Sequence, residues 1–379
     1  MFFCSLFCMS TFQACGEADA GCNTEVNTTC ISKEGSLILP TDSFLSYEGR
    51  VSFLNPLAPR FTYPGVTIHA SFEGTSLRML AKPQSGYFMV QVDKGAPFKV
   101  DFSNRVDSIV VLASGLSNSV HEVSIMNCIE AYQPIAEFRG LMLDKDCHLQ
   151  AMKQETTSLK LEFIGNSITC GYGIESASRD DPFLESTENH YFTYAALTAR
   201  RLNARHIVVA KSGIGIYRNY GGPYRGSADC MPNMYDYTLY GDTTERWDFA
   251  SYTPDIVFVN LGTNDCVLEG YSYDLLKLAY VQFQQKLRTA YPFSKIIWLS
   301  GCMLNGTPLY AVQKAMNEMV AGAKMAGDTL VYRFDFSPQT GDLGYGAGWH
   351  PSKKQHQRMA DELITFLRAN IGSVEKRWG

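Results

Sequence analysis

The chain has 379 residues, 45% of them hydrophobic and 19% charged, with a formal net charge of −5. This is globular composition, with enough length for two cores. The negative balance and the lack of any Lys/Arg-rich run exclude nucleic acid and anionic lipid as expected partners.

The first fourteen residues, MFFCSLFCMSTFQA, are apolar and uncharged. They are too short to span a bilayer and match the core of a signal peptide, although the basic flank of such a peptide is missing. The expectation is an exported bacterial protein without a membrane span, residues 1–15 being set apart from the fold. Cys15 precedes GEADAG, a weak likeness to a lipoprotein site, so the alternatives are a lipid anchor at Cys15 and ordinary cleavage nearby. The eleven cysteines include no Cys-x-x-Cys pair, which leaves a zinc site poorly supported. No metal and no cofactor is expected. If the first three cysteines are removed or lipidated, the other eight permit disulfides in an exported protein, or stand as free buried thiols.

Residues 33–142 read as an all-β sandwich. GVTIHASF, GYFMVQVDKGAPFKV, DSIVVLA and SVHEVSIMNCIEA are β-branched and aromatic runs punctuated by turn residues, with partial period-two alternation. Asp93-Lys94-Gly95 is a hairpin candidate in which the glycine can supply positive φ. The polar stretch 143–156 reads as a linker. Its shortness, with the glycine and aromatic content of the sandwich, predicts that the β-domain packs against the C-terminal half and shapes one wall of a cleft.

From 157 to 372 strands alternate with helices. LKLEFIG (159–165), HIVVA (206–210), DIVFVNL (255–261), KIIWLS (295–300) and TLVYRFDF (329–336) are short apolar runs suited to a parallel sheet covered on both faces. Leu276, Ala279, Phe283, Leu287 and Ala290 keep one helix face, as do Met359, Leu363 and Phe366. The expectation is a three-layer α/β/α domain.

In such a sheet ligands bind beyond the carboxyl ends of the strands. Gly165-Asn166-Ser167 follows the first strand, Lys211-Ser212-Gly213 the second, and Gly262-Thr263-Asn264-Asp265 the third. Gly348-Trp349-His350-Pro351 follows the fifth after a glycine-rich loop. A hydroxyl, a glycine amide, a carboxamide and an imidazole are the parts needed for acyl transfer. Taken singly, each has a plainer reading as a turn or cap residue; their coincidence at strand ends favours chemistry.

In order and spacing, GNSIT, Gly213 in KSGIG, GTND and His350 in GWHP resemble the four blocks of the SGNH or GDSL-type hydrolases. With the leading β-domain, the chain resembles more narrowly carbohydrate esterase family two, exported deacetylases of acetylated plant polysaccharides. The resemblance implies a flavodoxin-like catalytic domain, a Ser167 nucleophile with His350 as base, and an oxyanion hole of the Ser167 and Gly213 amides and the Asn264 side chain. It implies an acetyl-serine intermediate and a substrate such as acetylated xylan or glucomannan. The alternatives are a polysaccharide-binding surface lipoprotein that has lost turnover, and a lipid or aryl ester hydrolase on the same scaffold.

Elementary chemistry supports the roles independently. A serine needs a base at neutral pH. Pro351 suits the first position of a helix, which would place His350 at or beside its N-cap, where the positive helix end keeps the ring neutral. Gly215 is the alternative to Gly213 should the register shift by two. Many SGNH enzymes carry an aspartate three residues before the histidine, where this chain has Ala347. Either a backbone carbonyl of the GDLGYGAG loop or Asp342 must then orient the ring. Asp265 is expected to hold its loop by local hydrogen bonds. Trp349 could stack on a sugar, and Tyr217, Tyr224 and Tyr235 could line the cleft. His69, His121 and His206 are expected to be structural, and His190 and His356 to be solvated helix positions. GYG and GIG lack the third glycine of a dinucleotide loop.

Overall fold

A computed structural model describes residues 35–106, 108–130, 135–152 and 159–371. The expected leader and the Cys15 site lie outside the described residues. In the N-terminal part, two antiparallel sheets face each other. One runs in the order Ser36–Ile38, Ala136–Leu143, Leu77–Ala81, Ile109–Ala113; the other in the order Leu149–Gln150, Thr67–Gly74, Ser119–Asn127, Gly86–Val92, Phe98–Phe102. Ile68, Ala70, Phe72, Phe88, Val90, Val123 and Ile125 alternate inward and meet Met79, Phe138 and Leu141 of the opposite sheet. Leu149–Gln150 pairs with Ser71–Phe72, so the first part of the expected linker completes the sandwich. The hairpin between Gly86–Val92 and Phe98–Phe102 forms, but Asp93 rather than Gly95 takes positive φ (52°). A short polar side chain tolerates that region, and Asp93 is held there by the Glu122 amide and by His121 (2.8 Å).

The C-terminal part is built on five parallel strands in the order Arg205–Ala210, Lys160–Gly165, Ile256–Asn260, Lys295–Ser300, Val331–Asp335. That order, 2-1-3-4-5, is the flavodoxin-like doubly wound arrangement. Alternate residues feed opposite faces: Val257, Val259 and Trp298 pack on the helices Tyr273–Ala290 and Gly306–Met325, while Phe163, Phe258 and Leu299 pack on Tyr194–Arg201 and Lys353–Asn370. Five of the six described cysteines are buried and all six are free thiols.

The two parts share a polar interface. Glu48 accepts from the His206 amide (2.6 Å) and from Arg205 (2.9 Å), Lys99 pairs with Glu175, and Arg50 pairs with Glu162 (3.3 Å). Tyr63 of the sandwich lies within the core of the C-terminal part. His190 and His356, expected in solvent, are buried instead. His190 bonds the Thr169 carbonyl (2.8 Å) and faces His206 Nε2 (3.2 Å), whereas His356 Nδ1 accepts from the Tyr194 amide (3.1 Å).

Candidate active site

The first parallel strand ends at Gly165, and Asn166 caps a single helical turn, Ser167–Cys170, by accepting from the Ile168 amide (3.1 Å). Ser167 therefore opens that turn, with its hydroxyl beyond the strand's carboxyl end. The turn closes at Gly171 (φ 88°), and the following Gly173 lets another segment approach. A Cβ on Gly173 would stand 2.5 Å from Ala347 Cβ. This close approach, fixed by the Ala347 amide donating to the Gly173 carbonyl (3.1 Å), seats the histidine loop against the serine turn.

His350 Nε2 stands 2.9 Å from Ser167 Oγ, and Nδ1 faces the carbonyls of Ala347 and Gly348, both at 3.1 Å. Carbonyls only accept, so Nδ1 carries the proton and Nε2 is the free base. Burial pushes the imidazole pKa down to about 4, against a smaller upward pull from the two carbonyls. The helix does not begin at Pro351: Ser352 is the N-cap of Lys353–Asn370, and Pro351 bridges to Tyr345. His350 thus precedes the first turn, where the dipole acts, and burial rather than the helix end keeps its ring neutral.

Gly213 has φ 78°, and a Cβ there would meet nothing within 4 Å. Neither its amide nor that of Ser167 donates to any group among the described residues. Gly215, the alternative, is packed, and its amide donates to Asn219 Oδ1 (3.0 Å). Asn264 Nδ2 donates to the Ile214 carbonyl (2.8 Å), which fixes the carboxamide and leaves its second N–H for a ligand. Asp265, fully buried, accepts from the amides of Ile216, Tyr217 and Arg218 at 2.8–3.1 Å. It holds the Gly213 loop in place and reaches across the fold rather than along its own loop.

Both parts of the chain are similar to known proteins. Residues 47–152 match the Carbohydrate esterase 2 N-terminal family model, and residues 163–358 match that of the GDSL-like Lipase/Acylhydrolase family. A solved family two carbohydrate esterase from Clostridium thermocellum, in complex with cellohexaose, is 35% identical with a TM-score of 0.79, covering 86% of this chain and 99% of that one. The chain belongs to carbohydrate esterase family two. Among curated family two relatives, the cellulase/esterase CelE of Acetivibrio thermocellus is 35% identical over 327 residues, 86% of this chain; the chain spans 39% of the length of that protein. An acetylxylan esterase / glucomannan deacetylase of Cellvibrio japonicus is 27% identical, covering 84% of this chain and 87% of the relative.

Not every residue expected at this family two site is there. Asp342 does not face His350; its carboxylate accepts from Thr340 Oγ1 (2.6 Å) and pairs with Arg358 (3.2 Å). Tyr235 is fully buried, donating to Glu162 (2.7 Å), and Tyr217 is buried with its oxygen bonded to the Ser272 amide (2.7 Å). Both aromatics are drawn inward by polar partners on other elements, which residue type alone does not reveal. Tyr224 and Trp349 are more than half or half exposed, and the Arg179 guanidinium lies 3.9 Å over the Trp349 ring.

Other residues near the site carry no local sequence signal. Tyr172 lies between Phe183 (4.1 Å) and the His350 ring (4.2 Å), although GYG drew notice only as an incomplete dinucleotide loop. Glu130, Glu188 and Cys170 place ligand atoms within 4.8 Å of one another, beside the Lys211 ammonium, 3.0 Å from Glu130. The lysine already supplies a cation to that group.

Proposed function

We propose that the chain is an exported carbohydrate O-acetyl esterase that removes acetyl groups from plant polysaccharides such as xylan or glucomannan. The observation that carries the reading is the 2.9 Å contact between Ser167 Oγ and a His350 whose other nitrogen is committed to two carbonyls. His350 Nε2 takes the serine proton as Oγ attacks the acetyl carbon. The negative charge passes to the carbonyl oxygen, which the Ser167 and Gly213 amides and the remaining Asn264 N–H receive. One such donor is worth ~3–4 kcal/mol in the transition state. The tetrahedral adduct collapses as His350 returns its proton to the departing sugar oxygen. Water, activated by the same nitrogen, then frees acetate from Ser167.

The substrate class is drawn from membership of family two and from the curated relatives named above. Acetate release from acetylated xylan, acetylated glucomannan and an aryl acetate should be abolished in Ser167→Ala. Unchanged activity in that variant sinks the mechanism, and a preference for long acyl chains favours a lipid ester hydrolase. A glycan-binding role draws support from the half-exposed Trp349 beside the base and from the relative crystallised with cellohexaose; glycan retention without acetate release would select it. Export rests on the apolar first fourteen residues, and recovery of the protein only from cell lysate would count against it.

A further inference from the structure

The loop carrying Gly213 is held from two sides. Downstream, the Gly213 carbonyl accepts from the Tyr220 amide (2.8 Å), and Asn264 holds the Ile214 carbonyl. Upstream, the holding group comes from the other domain. The Ser212 amide, immediately before Gly213, donates to Glu130 Oε2 at 2.7 Å, and Lys211 Nζ lies 3.0 Å from the same oxygen. Glu130 stands three residues past the sandwich strand Ser119–Asn127 and is fully buried. It is itself fixed, because its amide donates to the Glu188 carboxylate (2.8 Å), buried in turn.

We infer that Glu130 is a positioning residue of the reaction: the β-sandwich sets, through the Ser212 amide and the Lys211 ammonium, where the Gly213 amide points. Gly213 has no side chain to restrain it and adopts φ 78°, so its amide direction depends on its neighbours. A carboxylate accepting from the preceding amide is a strong restraint, since charge-assisted hydrogen bonds are shorter and stronger than neutral ones. The pairing with Lys211 offsets the cost of burying that carboxylate. An oxyanion donor must be in place before charge develops, and a brace on the adjacent amide provides this without touching substrate. The β-domain is then part of the acyl-transfer machinery. The inference rests on Gly213 serving as an oxyanion donor.

The test uses the full chain and three variants, Glu130→Ala, Glu130→Gln and Glu130→Asp. kcat and KM are measured on 4-nitrophenyl acetate, active sites are counted with a serine-reactive phosphonate, and melting curves report folding. Glu130→Ala should lower kcat per active site by roughly 10- to 100-fold, the scale of a donor displaced by about an ångström, with KM within about threefold. Gln keeps an oxygen at the same reach and should recover kcat to within about fivefold of wild type. Asp keeps the charge but falls one methylene short, and should behave like Ala. A folded Ala variant with wild-type kcat per site overturns the inference. So does an Asp variant that outperforms Gln, because a negative charge acting without the bond to the Ser212 amide would then suffice. If the Ala variant does not fold, the Gln and Asp pair decides. Absence of turnover in wild type, or its survival in Ser167→Ala, would instead overturn the proposed function.

Discussion

The Arg50 guanidinium, which belongs to the sandwich, stands 3.3 Å from the Glu162 carboxylate on the first parallel strand, and both side chains are fully buried. Arg50 also donates to the carbonyls of Tyr235 and Tyr237 and lies 4.6 Å over the Tyr235 ring. Glu162 takes a second hydrogen bond from the Tyr235 hydroxyl (2.7 Å). A charge from one domain thus completes the core of the other, five residues before Ser167. The domains should behave as one folding unit.

Arg50→Met should therefore destabilise the protein by about 3–5 kcal/mol, because it strands a buried carboxylate. Adding Glu162→Gln should recover part of that loss, since the remaining group is neutral and keeps its tyrosine partner. Urea melts of the single and double variants check this, and equal losses in both would show that the charge is not the cause. By the same reasoning the fragment 157–372 alone should be poorly soluble or lose activity on polymeric substrate. Full activity of that fragment would count against coupled domains.

Asp342 should be dispensable for turnover. Its carboxylate is half-exposed and engaged by Thr340 and Arg358, while His350 Nδ1 is served by two backbone carbonyls. Replacing a triad aspartate by asparagine costs ~10⁴ in kcat. Asp342→Asn should cost less than about tenfold, equivalent to ~1.4 kcal/mol. A loss approaching the larger figure would mean that the carboxylate swings to the histidine during turnover.

The parallel sheet and the residues at its strand ends were legible because each depends on local pattern: apolar runs, a turn, and a small or polar residue where the run stops. Lys295–Ser300 has the bounds its apolar run predicts, and Ser167 and His350 come together from opposite ends of the domain. The depth of the histidines was not legible. His190 and His356 sit among helical and polar residues in sequence, yet packing of one element on another buries them. Arg50, Glu130 and Glu162 gave no signal for a related reason: each is hydrogen-bonded to a partner 82 or 112 residues away, and no periodicity records such a pairing. Tyr235 was misplaced in the cleft because an aromatic beside a binding loop and one filling a core look alike in sequence.

Activity and stability should part company in acid. His350 has its pKa depressed to about 4 by burial, so the free base persists through neutral pH. kcat/KM should be flat from about pH 6 to 8 and fall with a single acid limb near pH 4. His190 is depressed to about 4 and His356 to about 3, while His206 lies well below its usual 6.5, all chiefly by burial. Each is neutral in the folded state and gains a proton on unfolding once the pH falls below 6.5. Their stabilising contribution is therefore complete above that value and is lost as pH falls toward 4, at about 1.4 kcal/mol per pH unit for each group. Melting temperature should accordingly drop steeply between pH 6 and pH 4.5. His356→Gln, which retains an acceptor for the Tyr194 amide without titrating, should make that drop shallower. An unchanged slope would remove His356 from the account.

The two glycines of GIG should respond to alanine in opposite ways. Gly213 has open space around a prospective Cβ but φ 78°, a conformation that costs an L-residue roughly 1–2 kcal/mol. Gly213→Ala should fold with a melting temperature lowered by a few degrees. Relief of the strain should rotate the amide away from its proposed oxyanion position, and loss of that donor should lower kcat by ~10²-fold. At Gly215 a Cβ would stand 1.9 Å from the Arg218 carbonyl and 2.8 Å from Asp265 Oδ1. The carboxylate there is buried and holds three backbone amides, so the loop cannot shift without breaking that set. Gly215→Ala should consequently yield little folded protein. Stability and turnover measured side by side separate the two positions. A well-folded Gly213→Ala enzyme with wild-type kcat would remove this amide from the reaction, leaving Ser167 and Asn264 as the donors to be examined.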